Sequence, residues 1–168
     1  MGPKPSTQGT RITIFWLIVC LAVVVDQATK AAVRFVLDNG AITRTLISGL
    51  FDLRLVHNTG AAFSLGEGAT MFFIIVALAV LVGSLVYVWK TPELPFLLVV
   101  SIASVAGGGI GNMIDRIIDG AVTDFIATTF INFPVFNVAD IFVTVGVAVT
   151  VIGILKMDDG DDGEPERA

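Results

Sequence analysis

The sequence is short of the side chains from which most hydrolytic and metal sites are built. Its 168 residues include one cysteine, Cys20, and one histidine, His57. A single cysteine excludes a disulfide framework within the chain. Set in an apolar run, Cys20 is expected to be a small buried apolar side chain. A single histidine excludes a zinc site with paired histidines, and His57 is expected at the surface of a loop. Ser48, Ser64, Ser84, Ser101 and Ser104 have no evident base beside them, so a serine mechanism is poorly supported. Charged residues make up only 15% of the chain, and the basic ones are scattered, so no nucleic-acid patch exists. The formal net charge of −5 comes mainly from one acidic tail, with Asp158, Asp159, Asp161, Asp162, Glu164 and Glu166 crowded together. Such a tail cannot bury a core and is expected to be disordered.

Apolar side chains are what the sequence has in plenty. They make up 55% of residues, with a mean hydropathy of +0.88, more than a soluble domain usually carries. They fall in runs long enough to cross a bilayer, which takes roughly 20 residues per helix. Four spans are expected, at about residues 12–37, 69–89, 96–118 and 137–155. The first is too long to be a cleaved signal peptide. The expected fold is an all-α polytopic membrane protein of four transmembrane helices. A cytoplasmic N-terminal tail covers residues 1–11, the membrane domain 12–156 and the acidic tail 157–168. An even number of spans puts both termini on one side. Lys4, Arg11, Lys90, Lys156 and Arg167 fall on that side, and Lys30, Arg34, Arg44, Arg54 and Arg116 on the other. Several of the second set read as site residues, so the termini are assigned to the cytoplasm.

Residues 38–68 are too polar to span. Phe51, Leu53 and Leu55 alternate with Asp52 and Arg54, a strand period, and Asn58-Thr59-Gly60 reads as a turn. Residues 120–128 form a second candidate strand. Together they predict a small extracytoplasmic β element against the membrane surface. The same stretch carries Gly40, Gly49, Gly60, Gly66 and Gly68, and part of it is expected to serve as a mobile lid, with Phe51, Leu53 and Leu55 resting on lipid or substrate.

Polar residues within or at the ends of spans need a reason to be there, because an intramembrane charge costs on the order of 3 kcal/mol on insertion scales. The topology brings Asp26, Lys30, Asn112, Asp115, Arg116, Asp124, Asn137 and Asp140 towards one face of the membrane. Asp26 and Lys30, acid first and four apart, form a helical ion pair that fixes the end of the first span. Asp115 is placed to neutralise Arg116, leaving Asn112 and part of the guanidinium for a carbonyl. Gly107, Gly108, Gly109 and Gly111 permit close helix approach. Asn137 and Asp140 have the spacing of a capping box, yet a cap alone does not explain an acid facing an apolar bundle. Asp124 and Asp140 make a pair of carboxyls. Two acids sharing a site divide the labour, one keeping its proton while the other acts as base on a water.

These residues fall in blocks that resemble the lipoprotein signal peptidases, or type II signal peptidases. The blocks are Asp26-Gln27-Ala28-Thr29-Lys30, residues 58–63 from Asn58 to Phe63, residues 108–116 from Gly108 to Arg116, Val122-Thr123-Asp124-Phe125, and residues 133–140 from Phe133 to Asp140. The resemblance implies a four-helix enzyme of the bacterial cytoplasmic (inner) membrane with its site near the extracytoplasmic face. It would remove the signal peptide of prolipoproteins before a diacylglyceryl-modified cysteine. It implies Asp124 and Asp140 as catalytic dyad, Asn58, Asn112, Arg116 and Asn137 on the substrate, and Asp26, Lys30 and Asp115 in support. It also implies contact with membrane lipids, inhibition by the cyclic peptide globomycin, and no metal or other cofactor. Two other classes fit the bare pattern of intramembrane acids. One is a proton- or ion-coupled transporter, against which stand the absence of an internal repeat and the position of the acids near span ends. The other is a non-catalytic assembly or lipid-binding factor.

Overall fold

The computed structural model describes residues 7–38, 43–60 and 69–161. In chain order these form α1 (Gln8–Asp38), β1 (Thr43–Ile47), β2 (Phe51–Asn58), α2 (Thr70–Lys90), α3 (Phe96–Asp119), β3 (Val122–Thr128) and α4 (Val138–Asp161). All four helices are long and apolar enough to cross a membrane, over Gln8–Leu37, Thr70–Lys90, Phe96–Asp119 and Val138–Met157. The four expected spans are therefore present, with shifted ends. α1 starts a turn earlier than its apolar run because the Thr7 hydroxyl caps it, accepting the Thr10 N–H at 3.3 Å. α4 continues through Asp161, so the first acidic residues are helical; the rest of the tail lies outside the described residues.

α3 is the axis of the bundle. Half of its most apolar window is buried, against 11% for α2 and α4, and it packs on all three other helices. Its glycines are the reason it fits. A Cβ on Gly108 would stand 2.5 Å from the Ala139 carbonyl oxygen of α4, and one on Gly111 would stand 2.5 Å from Asp26 Oδ2 of α1. Small residues thus bring three backbones together where lipid offers no hydrophobic drive for helices to associate. At the end of the bundle near Arg11, Phe15, Val19, Val88, Leu94, Leu98, Val99, Ile102, Ala103 and Ala106 form an apolar core. Arg11 closes that end by donating to the Pro92 carbonyl in the turn between α2 and α3.

Many other apolar side chains of the spans face outward. Cys20 is among them, exposed on the outer surface of α1 rather than buried as expected. The apolar character of a membrane helix continues around its lipid side, so an apolar run does not mark a core.

At the opposite end lies a three-stranded antiparallel sheet in the order β1-β2-β3. β2 and β3 are the two strands expected from sequence. β1 was not foreseen, since all five of its residues are exposed and carry no alternation. Gly49, at φ +76°, turns β1 into β2. Leu53 and Leu55 pack with Val33 and Leu37 of α1 and Phe125 of β3, so this strand face sits on the protein's own scaffold rather than on lipid or substrate. Residues 39–42 and 61–68, to which much of the expected lid belongs, lie outside the described residues. His57 is exposed as expected, but on β2 opposite Thr123 rather than in a loop.

Two local features aim the functional residues. Gly120, left-handed at φ +71°, ends α3 and lets the chain reverse at once into β3. After β3 the chain returns to it. Phe136 N–H donates to the Ile126 carbonyl at 3.1 Å, and Ile126 N–H donates to the Phe136 carbonyl at 2.8 Å. That closure delivers Asn137 and the start of α4 beside the strand that carries Asp124.

Candidate active site

Strand alternation divides β3 between two jobs. Thr123 and Phe125 point one way, and Phe125 joins the apolar cluster with Val33 and Leu37. Val122 and Asp124 point the other way. Asp124 lies opposite Val56, with Asn58 two residues further along β2, a diagonal neighbour on the same face. Asn58 Nδ2 donates to Asp124 Oδ2 at 2.9 Å. Asp124 is 3% exposed. Burial pushes its carboxyl up to about 6, assisted by the charge of Asp140 and opposed by the amides of Asn58 and Asn137.

Asp140 stands in the first turn of α4. Asn137 N–H donates to Asp140 Oδ2 at 3.0 Å, and Asp140 N–H donates to Asn137 Oδ1 at 3.0 Å. The pair does form a reciprocal cap, and the cap is also part of the site. Asn112 Nδ2 of α3 donates to Asp140 Oδ1 at 2.8 Å. Asn137 Nδ2 spends its two hydrogens on Asp124 Oδ1 at 2.7 Å and Asn112 Oδ1 at 3.0 Å. Two amides therefore bridge the two acids, in the order Asp140, Asn112, Asn137, Asp124.

Behind the bridge sits a charge cluster with almost no access to solvent. Lys30 Nζ meets Asp26 Oδ2 at 2.8 Å, Asp115 Oδ2 at 3.0 Å and Asn112 Oδ1 at 3.0 Å. Asp26, Lys30 and Asp115 are each at most 1% exposed. Asp26 Oδ1 accepts the Ala139 N–H of α4 at 3.0 Å. Asp115 accepts the Thr123 N–H of β3 at 2.9 Å. The cluster thus ties α1, α3, α4 and β3 by direct bonds. Buried carboxylates with such full hydrogen bonding escape the penalty of an unpaired charge.

The structure corrects one expected pairing. Asp115 bonds directly to Lys30 and, at 3.4 Å, to Arg34, and its charge acts on Arg116 only at longer range, beside those of Asp124 and Asp140. Arg34 also reaches Asp119 at 3.7 Å. Arg116 turns instead towards Gly60 and α2. There it donates to the Gly60 carbonyl at 2.8 Å and lies 4.7 Å from the centroid of the Phe73 ring of α2. Its charge remains within electrostatic reach of Asp124 and Asp140.

All nine residues singled out from sequence meet in this one network. Sequence reasoning missed two members. Gln27 donates to Asp26, Asp115 and the Gly111 carbonyl at 3.0–3.1 Å, and Phe73 supports Arg116. Gln27 stands within the block from Asp26 to Lys30, and that polar position inside a span was a signal that went unused.

The acids open onto a cavity of about 550 Å³. Its polar rim is Asn58, Gly60, Asn112, Arg116, Asp124 and Asp140, and its apolar wall descends through Phe133, Pro134, Phe136, Ile141, Val143 and Val145. Two carboxyls at the mouth of an apolar groove can activate a water against a bond presented by a lipid-embedded ligand. Among the described residues there is no cluster of His, Cys, Asp and Glu suited to a metal ion.

Comparison with known proteins agrees with this architecture. The family model described as signal peptidase (SPase) II matches residues 18–156. A lipoprotein signal peptidase of Parasynechococcus marenigrum is 42% identical over 80% of this chain and 84% of its own length. One from Symbiobacterium thermophilum is 41% identical over 84% and 94%, and one from Streptococcus pneumoniae is 36% identical over 83% and 91%. A solved structure described as a bacterial membrane enzyme superposes with a TM-score of 0.78 at 29% identity, covering 95% of this chain and 94% of that one. With four apolar spans, a matching fold and a family model that covers most of its length, the chain belongs to the signal peptidase II family.

Proposed function

We propose that this protein is an intramembrane aspartyl endopeptidase that removes the signal peptide of prolipoproteins before a diacylglyceryl-modified cysteine. The observation that carries the reading is the pair of acids, Asp124 and Asp140, bridged by two amides at the head of an apolar groove. A water held between them loses a proton to the ionised acid as its oxygen attacks the scissile carbonyl carbon. The protonated acid gives its proton to the carbonyl oxygen. As the gem-diol collapses, the acid that took the water's proton gives it to the departing amine, and one gem-diol hydroxyl returns a proton to the other acid, so the dyad regenerates. Asn58, Asn112, Arg116 and Asn137 line the substrate side, and Asp26, Lys30 and Asp115 hold the frame. The apolar wall below Asp140 suits acyl chains, which supports a lipidated substrate and a place for membrane lipid or globomycin. The site lies at the end of the bundle opposite the start of α1 and the end of α4, which supports cytoplasmic termini and extracytoplasmic chemistry.

Purified protein in detergent should cleave a synthetic diacylglyceryl peptide with no ion gradient, which a coupled transporter would not do. Asp124→Asn and Asp140→Asn should each abolish cleavage while remaining folded. Appreciable turnover by either folded variant would sink the dyad and favour a non-catalytic binding factor.

A further inference from the structure

Besides the cavity at the acids, the helices form an apolar groove of about 390 Å³ where α1, α3 and α4 meet. Val25 of α1, Leu97 and Val100 of α3, and Val138, Phe142 and Val149 of α4 line it. Ser101 and Ser104 line it too, but their hydroxyl hydrogens are spent within the bundle. Ser101 Oγ lies 3.2 Å from the Leu98 carbonyl and 2.8 Å from Thr150 Oγ1, and Ser104 Oγ donates to the Val100 carbonyl at 2.8 Å. No lining residue is charged. The groove therefore suits hydrocarbon and offers nothing to a phosphate or a peptide group.

Its place beside the acids gives it meaning. Ile141 and Val145, both exposed on α4, line the groove and the cavity alike. Successive helix residues turn by about 100°, so Asp140 and Thr144 fall on the cavity side of these two and Phe142 and Val149 on the groove side. A single row of side chains separates the two hollows. Val138, at the groove's near end, is in the same helical turn as Asp140. From Val138 to Val149 is about 16 Å along the helix axis, about half the hydrocarbon core of a bilayer. That is the depth one acyl chain fills in its leaflet.

A diacylglyceryl cysteine brings two acyl chains to one point beside the scissile bond, and α4 has an apolar hollow on each side of that point. Resting on the peptidase reading above, we infer that the substrate straddles α4. One acyl chain descends the wall of the cavity; the other crosses the ridge of Ile141 and Val145 and lies in the groove between α1, α3 and α4. A bilayer phospholipid is the poorer occupant, since its phosphate meets no cation among the lining residues, whereas the glyceryl group is uncharged. The second chain adds little affinity, because it exchanges one hydrocarbon setting for another. It adds orientation. With a chain on each side of the ridge, the cysteine cannot turn about α4, and its peptide bond is held against Asp124 and Asp140.

The test compares a diacylglyceryl peptide with a monoacyl peptide of the same sequence, on the full chain in detergent. Ser104→Phe and Val149→Trp fill the groove from different helices and alter no residue of the acid network. Each should lower kcat for the diacyl peptide about tenfold and leave the monoacyl peptide within about twofold of wild type. An equal effect on both peptides, or on neither, overturns the inference. Should neither variant fold, crosslinking decides. A diazirine on each acyl chain in turn, bound to Asp124→Asn, should label Val100–Ser104 and Phe142–Val149 from one chain and the cavity wall from the other. Labels confined to the cavity overturn the inference, as does groove labelling by a diazirine phosphatidylglycerol that the diacyl peptide fails to displace. Wild type that cleaves neither peptide refutes the peptidase reading and the straddle with it. Cleavage of both, with groove variants that do not discriminate, refutes the straddle alone.

Discussion

The two ends of the bundle are held by opposite kinds of chemistry. Near Arg11 the helices meet through Phe15, Val88, Leu94, Leu98 and Ile102. At the other end they meet through Asp26, Lys30, Asn112, Asp115, Asn137 and Asp140. In lipid the first end gains little beyond packing, because the surrounding tails are as apolar as the core. Packing fixes distance loosely and has no polarity. The second end is a set of directional bonds between named donors and acceptors. Rigidity and polarity are what acid–base chemistry needs, and they occur where the cavity is.

The contrast is broken most severely at the acids. Asp124→Asn or Asp140→Asn should lower turnover by about 10³-fold, measured as cleavage of a lipidated peptide, while leaving thermal unfolding at the apolar end nearly unchanged. Next comes a matched pair of truncations. Lys30→Met takes the ammonium from Asp26 and leaves Asp115 with the more distant Arg34, and should cost about 3–5 kcal/mol together with activity. Leu98→Ala, at the other end, should cost about 2–5 kcal/mol yet leave kcat intact in the fraction that folds. Loss of kcat in folded Leu98→Ala would show that the two ends are coupled.

Glycine substitutions sharpen the comparison at smaller cost. Gly108→Ala drives a methyl against the Ala139 backbone and should destabilise by about 1–3 kcal/mol. Gly83→Ala, with nothing within 4 Å, should stabilise α2 by roughly 0.5–1 kcal/mol. Thermal unfolding in detergent separates the two signs.

A gentler effect is expected from pH. Asp124 titrates near 6 in the fold against an ordinary 3.8. A carboxyl raised in this way contributes its full stability below pH 3.8 and loses it as the pH rises through about 6. Unfolding temperature should therefore fall with rising pH across that window, and the slope should flatten in Asp124→Asn. EDTA should have no effect on turnover, since one histidine and one cysteine cannot build a catalytic zinc site.

Much of this was legible in the sequence. Spans show in composition because a bilayer demands length and apolarity of each segment separately. Asp124 and Asp140 show because a buried acid is costly and therefore conspicuous. The strands carrying Leu53 and Asp124 show through alternation. What could not be read was pairing across the chain. Asp115 has Arg116 as its sequence neighbour and looked like its partner, but successive helix residues diverge by about 100°, and Lys30 of another helix takes the place. Gln27 joins residues more than eighty positions away, and Phe73 meets Arg116 from a helix that otherwise looks wholly apolar. β1 has no buried face to leave a pattern. The exposure of Cys20 was misjudged because hydropathy cannot tell lipid from core.

The glycine face of α3 also sets the kind of side chain the site can use. With Gly108 and Gly111 drawing α4 and α1 to within a Cβ of α3, the bridge between the acids is made only of Asp and Asn, each with two rotatable bonds. Wider spacing would demand Glu or Gln, and each further torsion frozen on ordering costs conformational entropy of order 0.5 kcal/mol. It would also spread each carboxyl over more rotamers. Close helix approach therefore fixes the placement of both carboxyls largely at the level of the backbone, before any substrate arrives.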